Sequence, residues 1–145
     1  MIEAKTIQKY KSKTVPQLVQ IAQRYFNAYI RKRDSFDGFF KCISCGEIKP
    51  INKLHAGHFF SVGNYGIVRF DVDNCHGQCH KCNTFLHGDL YNYQINLIEK
   101  IGIEKFENLH KKAHDLDSSG RSLNFKYDRF LLIDIIERYK NARNI

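Results

Sequence analysis

The chain has 145 residues, 43% of them hydrophobic, with a formal net charge of +8. Such a length fits one compact domain, and the composition argues against a disordered chain. No apolar run approaches the roughly 20 residues of a membrane helix, and the polar stretch 1–13 is not a secretory signal. The charge is uneven. Residues 1–41 carry nine Lys/Arg against three Asp/Glu, residues 42–101 carry five of each, and residues 102–145 carry nine against seven. A basic flank on a neutral centre suits a polyanion partner, and equally a solvated lysine-rich surface.

Taken in order, residues 17–34 read as an amphipathic helix. Leu18, Ile21, Ala22, Tyr25, Phe26, Ala28, Tyr29 and Ile30 recur at helical spacing, Thr14 and Pro16 are start signals, and 35–38 is a stop. Residues 39–51 predict a hairpin whose turn is a Cys42–Cys45 knuckle, with Gly46 supplying left-handed backbone. Residues 54–62 and 67–70 are strand candidates around a glycine-containing loop. Cys79 is expected to open a helix running to about Leu86, ended by Gly88. Asp89 is an N-cap for a helix over 90–101, and 103–114 reads as another. A polar break at 115–120 precedes a final helix over 127–141, with Phe130, Leu131, Ile133, Ile135, Ile136 and Tyr139 on its apolar side. The expected fold is α+β and mostly helical, one domain of three parts: a basic helical segment (1–38), a metal-braced core (39–102) and C-terminal helices (103–145).

Chemistry concentrates in the centre. Cys42 and Cys45 form one CxxC pair and Cys79 and Cys82 another, with 33 residues (46–78) between the pairs. Four thiolates at that spacing make a closed tetrahedral zinc site, which braces a small centre but does no chemistry. A thioredoxin-like redox pair fits less well, because neither pair sits in a βαβ context. Cys75 is left over as a buried, inert thiol.

His58 lies in A-G-H-F-F, Asn74 lies five residues before Cys79, and Asn83 follows Cys82 directly. This order resembles the HNH, or ββα-metal, nucleases with a treble-clef-like zinc brace, and Asn after the second cysteine pair resembles the phage endonuclease VII arrangement. The resemblance implies that His58 is the general base, that Asn74 ties the loop and that Asn83 binds a catalytic Mg²⁺ or Mn²⁺. Those enzymes carry a ligand just before the base, where this chain has Gly57. His55 is three residues before His58, so a bulge at Gly57 would be needed to bring both to one face. His87, four residues after Asn83, is the other choice for completing the site.

The stretches 56–83 and 88–102 are similar to the NinG (Rap) recombination proteins of lambdoid phages. That family has Asp where this chain has His55. The resemblance implies a structure-specific DNA endonuclease for branched intermediates such as Holliday junctions, working in the host cytoplasm. Two symmetric nicks would then call for a homodimer. Arg69, Arg31, Lys32, Arg33 and Lys81 are the DNA-contact candidates, with Arg69 equally a structural partner of Asp71 or Asp73. His76 and His80 read as surface or phosphate-contact residues, His110 and His114 as a solvated helix face, and Phe125, Tyr127 and Phe130 as core. A restriction or homing nuclease and a non-catalytic zinc-dependent DNA adaptor are the alternatives.

Overall fold

The computed structural model describes residues 2–115 and 125–142. Five α-helices surround two small antiparallel sheets, an α+β arrangement. A short α1 (Ala4–Lys9) precedes α2 (Val15–Asp34). Helix α2 starts at a capping box: Gln17 N–H donates to Thr14 Oγ1, and Thr14 N–H donates to Gln17 Oε1. Leu18, Ala22, Phe26 and Ile30 recur every four residues and are fully buried. Each contributes about 1.5–3 kcal/mol if large and apolar. They pack on α5 (Arg129–Tyr139), which Asp128 caps through Leu131 N–H.

On α5 the buried face is Leu132, Ile133, Ile135, Ile136 and Tyr139. Phe130 and Leu131 point outward, 55% and 38% exposed, against the expectation that both were core. Two bonds from the C-terminal region hold the first segment: Arg129 donates to the carbonyl of Lys13, and Tyr10 Oη–H to Glu137.

After α2, a tight turn with Asp37 and Gly38 at positive φ joins β1 (Ser35–Phe36) to β2 (Phe39–Lys41). Strand β2 pairs with β3 (Ile48–Pro50) across the cysteine knuckle, where Gly46 has φ 74°. The second sheet pairs β4 (Leu54–His58) with β5 (Cys75–Cys79). The expected strand at 67–70 is instead a 3₁₀ turn, Gly66–Val68, because its apolar residues part company: Val68 enters the core under α3 and α4, Phe70 the core under α2. Nor does Cys79 open a helix, since its backbone closes the ladder opposite Leu54. A single π-helical turn follows, Lys81–Phe85, with Leu86 N–H bonded to Lys81 O. The α3 (Leu90–Ile101) and α4 (Ile103–Ala113) helices lie where the sequence places them. Asp89 precedes α3 in the left-handed region and makes no cap bond, so its role is conformational rather than the expected side-chain cap. Most of the expected polar break, 116–120, lies outside the described residues.

Candidate metal centre and the polar groove beside it

The four paired cysteines converge from three elements. Cys42 and Cys45 sit in the β2–β3 turn, Cys79 ends β5, and Cys82 lies in the π turn. Their sulfurs lie within 4.8 Å of one another, and the closest recorded approach is 4.0 Å, between Cys45 and Cys79. Ligands about 2.3 Å from a tetrahedral zinc stand roughly 3.8 Å apart, so the set fits such an ion. Backbone N–H groups of Cys79 and Cys82 donate to the sulfurs of Cys42 and Cys79, and the bond from Cys82 favours the thiolate at Cys79. Burial and neighbouring thiols push Cys45 and Cys82 up. A divalent cation removes that conflict by drawing all four into the ionised form. Cys75 is fully buried away from this group, as an inert fifth thiol should be.

The β4–β5 ladder is regular from Leu54↔Cys79 to His58↔Cys75, with no bulge at Gly57. His55 and His58 therefore stay on opposite faces. His58 is held between β4 and α2, stacked near Phe26. Its Nε2 meets the Arg69 carbonyl at 2.9 Å and therefore carries the proton, while Nδ1 keeps a lone pair, with the Cys75 sulfur 3.9 Å away. Burial holds its pKa below the usual histidine value, so the ring is neutral near pH 7. Asn74, fully buried, accepts from Phe60 N–H and donates to the carbonyls of Phe60 and Val68. It thus ties together the two ends of the loop that leads from His58 to Arg69.

His55 meets Asn83 instead, Nδ1 to Nδ2 at 3.0 Å, and its Nε2 lies 3.4 Å from Nδ1 of His80. His80 is exposed, in keeping with its reading as a surface or phosphate-contact residue, but its closeness to His55 was not expected. Its place directly after Cys79, whose backbone pairs with Leu54 next to His55, was the signal available. His87 does not share a helical face with Asn83, because the π turn ends at Phe85 and His87 has φ 51°. It stands exposed, and no recorded hydrogen bond joins it to Asn83.

The sequence profile described as Bacteriophage Lambda NinG protein matches residues 2–141. The chain belongs to the NinG family. It is 34% identical over 116 residues to the protein ninG of Salmonella phage P22, covering 78% of this chain and 55% of that relative. The protein ninG of Escherichia phage lambda is 35% identical over 91 residues, covering 63% of this chain and 43% of the relative. The chain thus spans about half the length of these curated NinG relatives. No solved structure matches it.

In this NinG chain the expected DNA-contact residues divide. The Arg33 guanidinium is a structural tie: it binds Asp34, the carbonyls of Val72 and Cys75, and Nδ1 of His76. Burial opposes ionisation of Asp34, but the Arg33 hydrogen bonds and the charges of Lys100 and Arg33 outweigh it and hold the carboxyl down at about 2. His76, expected at the surface, is buried and bridges Arg33 to the Asp73 carbonyl.

Arg69 pairs with neither Asp71 nor Asp73. Its Nε donates to Gln23 Oε1, and Asp71 pairs with Lys112 instead. Gln23 bonds Asn27, and the next residue at that spacing, Arg31, is close enough to help depress the pKa of His55, after burial and His80. One stripe of α2 therefore runs past both the His58 and the His55 ends of β4. Lys32 and Lys81 are exposed, and Arg31 is half-buried. His110 and His114 stack on each other at 4.2 Å and cover Phe60. Of the three aromatics expected in the core, Tyr127 is half-buried and donates to Gly66 O, whereas Phe125 and Phe130 are exposed. Tyr93 is buried while Tyr91 is 79% exposed. No helix among the described residues is long and apolar enough to cross a membrane.

Proposed function

We propose that this protein is a metal-dependent DNA endonuclease of the HNH class that nicks branched recombination intermediates such as Holliday junctions. The observation that carries the reading is the fixed tautomer of His58. Its Nε2–H is committed to the Arg69 carbonyl, which leaves Nδ1 as a proton acceptor on a neutral ring. That is the state a general base needs.

In this mechanism Nδ1 of His58 takes a proton from water as the water attacks phosphorus. Asn74 keeps the loop, and with it the Arg69 carbonyl, in place. Arg69 and Arg31 line the α2 stripe where a phosphate backbone would lie, and Lys32 and Lys81 add longer-range attraction. A divalent ion at the His55–Asn83 corner would stabilise charge on the phosphate and on the leaving 3′ oxygen. The regular ladder turns His58 and the His55–Asn83 corner to opposite faces of β4, so a phosphate would have to lie at the edge of the sheet to meet both. The product would carry a 5′-phosphate, and a C2 homodimer would place paired nicks.

Cleavage of a synthetic four-way junction beside a linear duplex, with Mg²⁺, Mn²⁺ or EDTA, tests the proposal. Paired metal-dependent nicks near the branch point, reduced about 10²–10⁴-fold in His58→Ala, are the expected result. Equal cutting of both substrates would discard the junction preference and favour a restriction or homing type. Tight binding without cutting in any metal would leave a DNA adaptor, a reading that the closeness of His58 Nδ1 to the buried Cys75 favours.

A further inference from the structure

We infer that His55 and His80 form a two-imidazole site for a divalent ion of the nickel, cobalt and zinc class, with Asn83 positioning His55. The inference rests on the function proposed above and revises its ion corner: His80 replaces Asn83 as the second ligand, and the ion class is nickel, cobalt or zinc in place of magnesium.

Nε2 of His55 and Nδ1 of His80 are 3.4 Å apart. That is long for a hydrogen bond, and it equals the roughly 3.3–3.4 Å between two nitrogens each about 2.0–2.1 Å from a tetrahedral ion. Both side chains are anchored next to rigid parts. His55 follows Leu54, whose backbone pairs with Cys79, and His80 follows Cys79 itself. The four-thiolate centre therefore fixes the spacing of the two rings. Thr84 Oγ1 stands 3.4 Å from the same Nδ1 and offers a neutral oxygen. His80 is exposed, so water or a phosphate oxygen can complete the shell.

Asn83 occupies the other nitrogen of His55 at 3.0 Å. A ring that binds an ion through Nε2 carries its proton on Nδ1, and a half-turn of the Asn83 amide presents the oxygen that accepts it. Ligating histidines are oriented in this way, and losing the orienting partner typically costs 10–100-fold in affinity. None of these side chains is a carboxylate. Magnesium takes oxygen ligands in near-octahedral geometry, whereas imidazole suits nickel, cobalt and zinc.

The test is calorimetric titration of Ni²⁺ into the full chain loaded with one equivalent of zinc. Wild type should bind one further equivalent. His80→Ala and His55→Ala should weaken that binding at least tenfold, and Asn83→Ala by about 10–100-fold. His110→Ala should leave it unchanged, which excludes the stacked pair at the end of α4. Mg²⁺ should not compete. Absence of the further equivalent, unchanged binding in His80→Ala, or its loss in His110→Ala would each overturn the inference. Ni²⁺ binding with this mutational pattern in a protein that never nicks DNA would sink the nuclease reading and keep the site. A Mg²⁺-dependent nuclease whose His80→Ala variant binds Ni²⁺ like wild type would do the reverse.

Discussion

The side-chain oxygen of Gln78 lies over the α-carbon of Gly57: a Cβ built on Gly57 would stand 2.0 Å from it. The Gln78 amide nitrogen is bonded to Ser44 Oγ and Gly88 O, while Oε1 has no hydrogen-bond partner among the described residues. Packing on the β4–β5 ladder thus explains why position 57 carries no metal ligand. Gly57→Ala should cost about 1–3 kcal/mol through overpacking. The double variant with Gln78→Ala should lose less than the two single losses combined. Urea unfolding of the four proteins measures the coupling, and simple additivity would contradict this account.

Stability should fall below pH 6.5 partly through His76. Burial, followed by the charges of Lys100 and Arg33, drives its pKa down to about 3. The unfolded chain therefore binds a proton there at higher pH than the folded one does. The stabilisation is complete above about 6.5 and declines toward 3, with a slope of up to about 1.4 kcal/mol per pH unit. His76→Gln should flatten the unfolding free energy between pH 6.5 and 5. An unchanged slope in that variant would assign the acid sensitivity to other groups.

The basic tripeptide 31–33 should separate into two phenotypes. Arg31→Ala and Lys32→Ala should weaken DNA binding and reduce the slope of log affinity against log salt by about 0.9 per lost phosphate contact. Arg33→Ala should instead destabilise the fold, on the order of 3 kcal/mol, because it leaves the largely buried Asp34 with Lys100 as its one remaining ion-pair partner beside the Gly77 N–H. Fluorescence anisotropy across a salt series, alongside thermal melting, distinguishes the two. A salt-slope change in Arg33→Ala with unaltered melting would refute the structural role.

Removing a zinc ion held by the four clustered sulfurs should unfold the centre before the α2–α5 pair. Chelation, or Cys79→Ser, should release one zinc per chain and abolish protection of the β4 and β5 amides, because Cys79 belongs to both the sulfur cluster and the ladder. Hydrogen exchange with metal analysis reads both. Protected β4 and β5 amides after complete zinc loss would show that the sheet stands without it.

Spacing made the cysteine cluster legible, since two CxxC pairs need only a turn and a strand end to meet. The α2 helix and the knuckle hairpin were legible for the same reason: cap, period and glycine all lie within a few residues. The partner of β4 was not. Its five residues, Cys75–Cys79, are all buried, so alternation was absent, and the cysteines drew attention to the metal instead of the backbone. Arg33 was read with its basic neighbours because Asp34 and the two carbonyls that hold it come together only in the fold, and His76 was read as surface because Arg33 and the Asp73 carbonyl reach it only there. The meeting of His55 with His80 depended on register, which the sequence does not display.

Arg69 serves its neighbours with two separate parts of itself. Its carbonyl seats the proton of His58, while its guanidinium reaches Gln23 on α2. A carbonyl is present whatever side chain the residue bears. The hydrogen bond that sets the tautomer of His58 therefore survives replacement at 69, whereas the grip on α2 and the guanidinium charge that helps hold the ring's pKa down do not. Changes at this one position can loosen α2 and shift how readily the ring beside it takes a proton, while leaving which nitrogen carries the proton as it is.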